Sequence, residues 1–123
     1  MGKWAEFHFD RCWPYIEAAI ERMKEPYGRD FVWGRIKDGS AQLWPGDNSV
    51  VVTEIENNPD GTKEIYGWIA GGEWDELNKI QNIAAEWGKL QGCTTAKTVQ
   101  RPGFLRKPFD GFRLKAVIME KEL

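Results

Sequence analysis

TKEIYGWIAGGEWDELNKIQNIAAEWGKLQGCTTAKTV, residues Thr62 to Val99, is the stretch whose reading decides the fold. Thr62 to Ala70 is β-prone and stops at Gly71-Gly72. The period then changes: Leu77, Ile80, Ile83, Ala84, Trp87 and Leu90 form a helical apolar stripe over Glu73 to Gln91, with Gly92 placed as the C-terminal cap. Thr94 to Val99 is β-prone again. A strand, a long helix and a second strand in this order predict a β-α-β unit.

Upstream of that unit the pattern is extended from Ala41 to Trp44 and again from Ser49 to Glu56, where Val50, Val52 and Glu54 share one face. Pro45-Gly46-Asp47-Asn48 and Asn57-Asn58-Pro59-Asp60-Gly61 are turns, so three successive strands make an antiparallel meander. Before it, Asp10 is placed to cap a helix that has Pro14 in its first turn and Ile16, Ala19, Ile20 and Met23 on one face, ended by Pro26 and Gly28. Asp30 offers a second cap for a short helix through Val32 and Ile36 that stops at Gly39. Trp4 to Phe9 reads either as a short strand or as the lead-in to the first helix. Downstream, Arg101 to Lys107 is short and interrupted, and Phe112 to Met119 reads as a closing strand. The expectation is one α+β domain over residues 1–123, with a mixed sheet.

Composition narrows the function. A chain of 123 residues can bury one core, and seven Trp point to packing before ligand stacking. The net charge of -2 provides no general basic field for gripping phosphates. Cys12 and Cys93 lack metal-ligand spacing and read as two reduced, buried thiols, with no metal site implied. His8 has no carboxylate partner in the sequence that would make it a base. No run is apolar enough for a membrane span or a secretory signal, which predicts a cytosolic protein.

The order of two helices, three antiparallel strands, a long helix, a strand, a short helical turn and a final strand resembles the GNAT (N-acetyltransferase) fold. The segment TTAKTVQRPGFLRKPFDGFRLKAVIMEKEL, Thr94 to Leu123, looks like the closing part of such a domain, with Gly111-Phe112 in place of the family's Gly-Phe pair. The segments SAQLWPGDNSVVVTEIENNP, GWIAGG and EWGKLQGCTTAKTVQRPGFLRK are also similar to small phage-encoded GNAT-like proteins, some of them internal virion or accessory proteins. That resemblance implies a viral gene expressed in a bacterial cytoplasm, with the virion as a further location, and it does not imply catalysis.

For a GNAT enzyme the resemblance implies that acetyl-CoA binds where the third meander strand meets the long helix, with Ile69, Ala70, Gly71 and Gly72 as backbone contacts and Arg101 and Arg106 reaching its phosphates. It implies a general base among Glu54, Glu64 or an ordered water, with Tyr66 on the same face as Glu64. Two departures count against inheriting that chemistry. Glu73, Asp75 and Glu76 fill the first helical turn, where they stabilise the helix but repel a pyrophosphate. Phe104 to Lys107 also contains no tyrosine to serve as the family's acid.

The competing reading is a binding surface for a phage or host protein. Arg101, Arg106 and Lys107 lie in a locally basic C-terminal third that could also meet nucleic acid. Trp44 and Trp74, if exposed, would be interface anchors.

Overall fold

The computed structural model describes residues 2–123. Helix α1 (Lys3–Met23) is followed by α2 (Arg29–Lys37), then by strands β1 (Ala41–Pro45), β2 (Ser49–Asn57) and β3 (Lys63–Gly72), helix α3 (Trp74–Leu90) and strand β4 (Cys93–Thr98). A single 3-10 turn, Pro102–Leu105, comes last. The sheet has the order β1-β2-β3-β4, antiparallel through the meander and parallel between β3 and β4. This is the α+β mixed sheet that the meander and the β-α-β pattern predict.

Alternation along β2 assigns the two faces. Val50 and Val52 join Ile69 and Ala41 under α1 and α2, where Phe9, Cys12, Ile16, Val32 and Ile36 are all buried. Val51 points the other way and meets Leu77 of α3, and Ile65 meets Ala84 on the same side. A bulge at Val52/Thr53 shifts the β2–β3 register by one residue, so that Thr53 faces Gly67 while Val52 faces Ile69.

Three boundaries differ from the sequence reading. The first helix begins at Lys3, so Trp4 to Phe9 is neither a strand nor a lead-in, and Asp10 does not cap it. Ala5, Phe9 and Cys12 continue the stripe of Ile16 and Ala19 back toward the N-terminus, and that burial outweighs the alternation suggested by the exposed Trp4 and Phe7. Asp10 is mid-helix and pairs with Arg29 instead, while Pro14 sits within the helix on its exposed side. The cap of α2 is Gly28, not Asp30. The third difference is at the C-terminus: among the described residues Phe112 to Met119 forms no strand, and residues 113–123 are exposed.

Candidate functional site

The feature that shapes a site is where β3 and β4 part. They pair from Lys63↔Cys93 to Gly67↔Thr98. There β4 ends, while β3 continues to Gly72, so Trp68 to Gly72 have no strand on that side among the described residues. β4 is paired along its length and ends at Thr98, so the open edge is the part of β3 that runs past it.

A small hollow lies on each face of the sheet at the fork. The one under α3 is walled by Gly67, Ala70, Ala85, Ala96, Thr98 and Phe109, and the one under α1 by Ile20, Tyr27, Tyr66, Trp68, Ala70 and Val99. Ala70 lines both. Small side chains at Gly67, Ala70, Ala85 and Ala96 leave the space on the α3 side. Each hollow is about 40 Å³, room for water-sized molecules but short of a pantetheine arm.

The four residues predicted to carry cofactor contacts sit at this place and are used structurally. Ile69 is buried in the α1 core. A Cβ on Gly71 would collide with the Tyr15 carbonyl oxygen, so this glycine lets α1 lie directly on the strand. Gly72 has φ +113, and a Cβ there would strike the Asn48 backbone. The pair exists to seat α1 and the β1–β2 turn.

The N-terminus of α3 is likewise occupied from within. Glu76 accepts hydrogen bonds from the Asn48 backbone N–H at 2.9 Å and the Ser49 hydroxyl at 2.5 Å, which hold its carboxyl below the usual range. The Glu73 N–H donates to Asn48 O at 3.0 Å. Trp74 Nε1 donates to the Lys107 carbonyl, and the Lys107 ammonium lies 4.1 Å from the Trp74 ring centroid. Asp110 completes this strap: its N–H donates to Asn78 Oδ1 and its carboxylate accepts from Asn78 and Asn82. For coenzyme A, then, the fork provides apolar walls, but the helix end that would take the phosphates does not fit.

The predicted bases are brought together and already partnered. Glu54 and Tyr66 are cross-strand neighbours, as are Glu56 and Glu64. Glu54 pairs with Arg35 of α2. Glu64 lies 2.9 Å from Lys97 Nζ and accepts from Asn58; the Lys97 bond, then the Asn58 bond, lower its pKa. Tyr66 lines the α1-side hollow, and burial pushes its hydroxyl up, reinforced by Tyr27. Neither carboxylate lines either hollow, so only Tyr66 of the three faces the fork.

Arg101 and Arg106 flank the 3-10 turn, exposed and without an ion pair among the described residues. Trp44 and Trp74 are not free anchors. Trp44 donates to Thr53 Oγ1 and meets Trp87 edge-on, while Trp74 packs against Phe109. His8 is half-buried against Arg11, and Cys12 and Cys93 are buried free thiols. Among the described residues there is no His, Cys, Asp or Glu cluster that could hold a metal, and no helix is long and apolar enough to cross a membrane. Sequence reading missed the roles of Glu76, Asn78, Asn82 and Asp110. Its available signal was the i, i+4 spacing of the two asparagines.

No family profile and no curated protein matches the sequence. Solved structures do match in shape. A probable acetyltransferase superposes with a TM-score of 0.68 at 12% identity, covering 94% of this chain and 91% of that one. A tetramutant of the BH1408 protein from Bacillus halodurans gives 0.65 at 13%, covering 87% and 86%. Glucosamine-6-phosphate N-acetyltransferase from Arabidopsis thaliana gives 0.50 at 14%, and this chain covers 61% of itself and 56% of that enzyme, under two thirds of its length. Likeness at such identities concerns the fold, and with the meander, the long helix and the forked strands it leads to one conclusion: this chain has the fold of the GNAT acetyltransferases.

Proposed function

We propose that this chain is a GNAT-fold binding domain, an accessory or virion-associated protein of a bacteriophage, which works by docking a protein partner and not by acetyl transfer. The observation that carries the reading is Glu76. Its carboxylate occupies the β1–β2 turn at the end of α3 where the fold's cofactor phosphates would need positive charge, and Glu73 and Asp75 stand beside it. These carboxylates oppose a pyrophosphate by Coulomb repulsion and the first turn itself carries no basic residue; the nearby cations are already engaged, Lys107 over Trp74 and Arg11 on the carbonyls of Gly46 and Asp47. The phage assignment, and with it the host cytoplasm or virion as location, is supported by the resemblance that Ser40–Pro59, Gly67–Gly72 and Glu86–Lys107 bear to small phage-encoded GNAT-like proteins and by no match among the comparisons.

Calorimetry and thermal shift with acetyl-CoA test the reading. At about 1 mM ligand the expected result is no heat and no change in melting temperature. Binding near 10 μM would stabilise the fold by roughly 2.7 kcal/mol at that concentration, an easily read shift, and would overturn the proposal. The fork between β3 and β4 favours one second reading, an acetyl-CoA-dependent N-acetyltransferase acting on an amine, because the unpaired β3 edge is where such a cofactor would lie. That reading requires the shift just described.

A further inference from the structure

We propose that β1 is a self-pairing edge: two copies of this chain join β1 to β1 antiparallel about a two-fold axis at Leu43, making one continuous sheet of four strands from each copy. β1 has β2 on one side and no strand on the other among the described residues. An open edge in a soluble domain is ordinarily blunted by a charge, a bulge or a covering segment. β1, AQLWP, carries no charged residue, and its pairing with β2 runs without the register shift that interrupts both other pairings. The opposite edge, β4, contains Lys97, and its pairing is shifted near its start. β1 is the less protected of the two.

Which of its groups face outward follows from the turn. The Gly46 N–H donates to Ser49 O at 2.9 Å, so these residues are a hydrogen-bonded pair. Bonded and non-bonded pairs alternate along an antiparallel ladder. Trp44↔Val51 and Gln42↔Thr53 are then bonded, while Pro45↔Val50, Leu43↔Val52 and Ala41↔Glu54 are not. The N–H and C=O groups of Ala41 and Leu43, and the carbonyl of Pro45, therefore point away from β2. Pro45 fits this parity, since its missing N–H costs the β1–β2 ladder nothing. A second β1 laid antiparallel with Leu43 on the axis sets Leu43 opposite the partner's Leu43 and Ala41 opposite the partner's Pro45. The two Leu43 residues exchange both of their bonds, and each Ala41 N–H donates to the partner's Pro45 carbonyl. Of the outward groups only the Ala41 carbonyl is left without a backbone partner.

A second copy is favoured because the surroundings of β1 are self-complementary as well. α3 leans over this edge: Trp87 meets Trp44 edge-on, and Ile83 and Leu90, on the same side of the helix, are 61% and 84% exposed. Gln42 and Trp44 share the face under α3, and pairing sets the partner's Gln42 beside Trp44, which widens the floor beneath that stripe. The two ends of the strand carry opposite charges. Lys37 precedes β1 and Asp47 follows it; both are exposed, and neither is in an ion pair among the described residues. Antiparallel pairing brings the Lys37 end of each copy to the Asp47 end of the other, so the two-fold axis makes the contact twice.

Sedimentation of the full chain in about 50 mM salt, where exposed charges are weakly screened, tests this. A dimer of twice the 14.2 kDa of one chain is expected at about 100 μM. The Leu43 amide, which faces water in a single chain, should gain protection from hydrogen exchange as concentration rises. K37D opposes carboxylates at both ends of the paired strands and D47K opposes ammonium groups, so each should raise the dimer dissociation constant about 10-fold; K37D/D47K restores opposite charges and should return it to within about 3-fold of wild type. Both positions are exposed, so circular dichroism should not change. A wild type that stays monomeric at about 100 μM overturns the proposal and assigns the edge to another protein or to none. So does a dimer whose Leu43 amide exchanges as freely as in the diluted monomer, or one whose affinity is unchanged by K37D or not restored in K37D/D47K. None of these results depends on acetyl-CoA binding, so they stand or fall apart from the function proposed above.

Discussion

The missing side chain of Gly71 has a structural use that the sequence does not announce. In the sequence this glycine stands beside Gly72 where a phosphate cradle would begin. In the structure the missing Cβ is what allows the Tyr15 carbonyl of α1 to touch β3. Gly71→Ala forces backbone against a methyl group, and we expect it to destabilise the fold by about 3 kcal/mol, at the upper end for overpacking. A melting temperature within a degree or two of wild type would show that α1 yields easily and that the glycine serves something else. Glu76 makes a second residue-scale prediction. Its pKa is lowered in the fold by Ser49 and Asn48, so its stabilisation is present above the unfolded value near 4.5 and is lost as pH falls through the lower folded value. Wild type should therefore melt above Glu76→Gln at pH 7, with the gap closing as pH falls below 4.5. A gap of constant size down to pH 3 would mean that the charge of Glu76 does not stabilise the turn.

At the scale of elements, the sequence was legible where burial followed a single period. α3 and the meander are of that kind: Leu77 and Ala84 repeat at helical spacing, and Val50 and Val52 alternate with Val51 across a sheet covered on both faces. The start of α1 was not legible, because Phe7 and Phe9 alternate with Glu6 and His8 as a strand would, although of Trp4, Phe7 and Phe9 only Phe9 is buried. Which of three aromatics faces the core depends on α2 and Trp33, a contact 24 positions away from Phe9. The closing strand illustrates the opposite error. Phe112 to Met119 has strand composition, but a strand needs a neighbour, and composition does not provide one. The candidate bases depend on distant partners in the same way. Glu54 and Glu64 were found, and their faces were right, but Arg35 and Lys97 lie 19 and 33 positions away in the sequence, so their neutralising partners could not be read locally.

For the whole molecule, the issue is how the segment after β4 returns to the body. Pairing stops at Thr98, and the chain then crosses to the N-terminal end of α3, where Lys107 covers Trp74 and Asp110 binds the two asparagines. Phe109 is the apolar centre of that return: it is buried with Val51 and Leu77, it meets Trp74, Phe104 and Phe112, and it forms a wall of the hollow under α3. If the strap belongs to the same cooperative unit as the sheet, Phe109→Ala removes a buried ring and enlarges an existing void, which costs about 3 to 5 kcal/mol. For a domain of this size each kcal/mol lowers the melting temperature by roughly 4 °C, so the variant should melt at least about 12 °C below wild type, still in one transition. If the segment from Arg101 onward merely rests on the surface, the global melt will move by less than about 2 °C while near-ultraviolet dichroism from Trp74 is lost at low temperature. The first result makes the strap part of what seals the helix end against phosphate; the second would leave that end open whenever the strap detaches, and would strengthen the acetyltransferase reading.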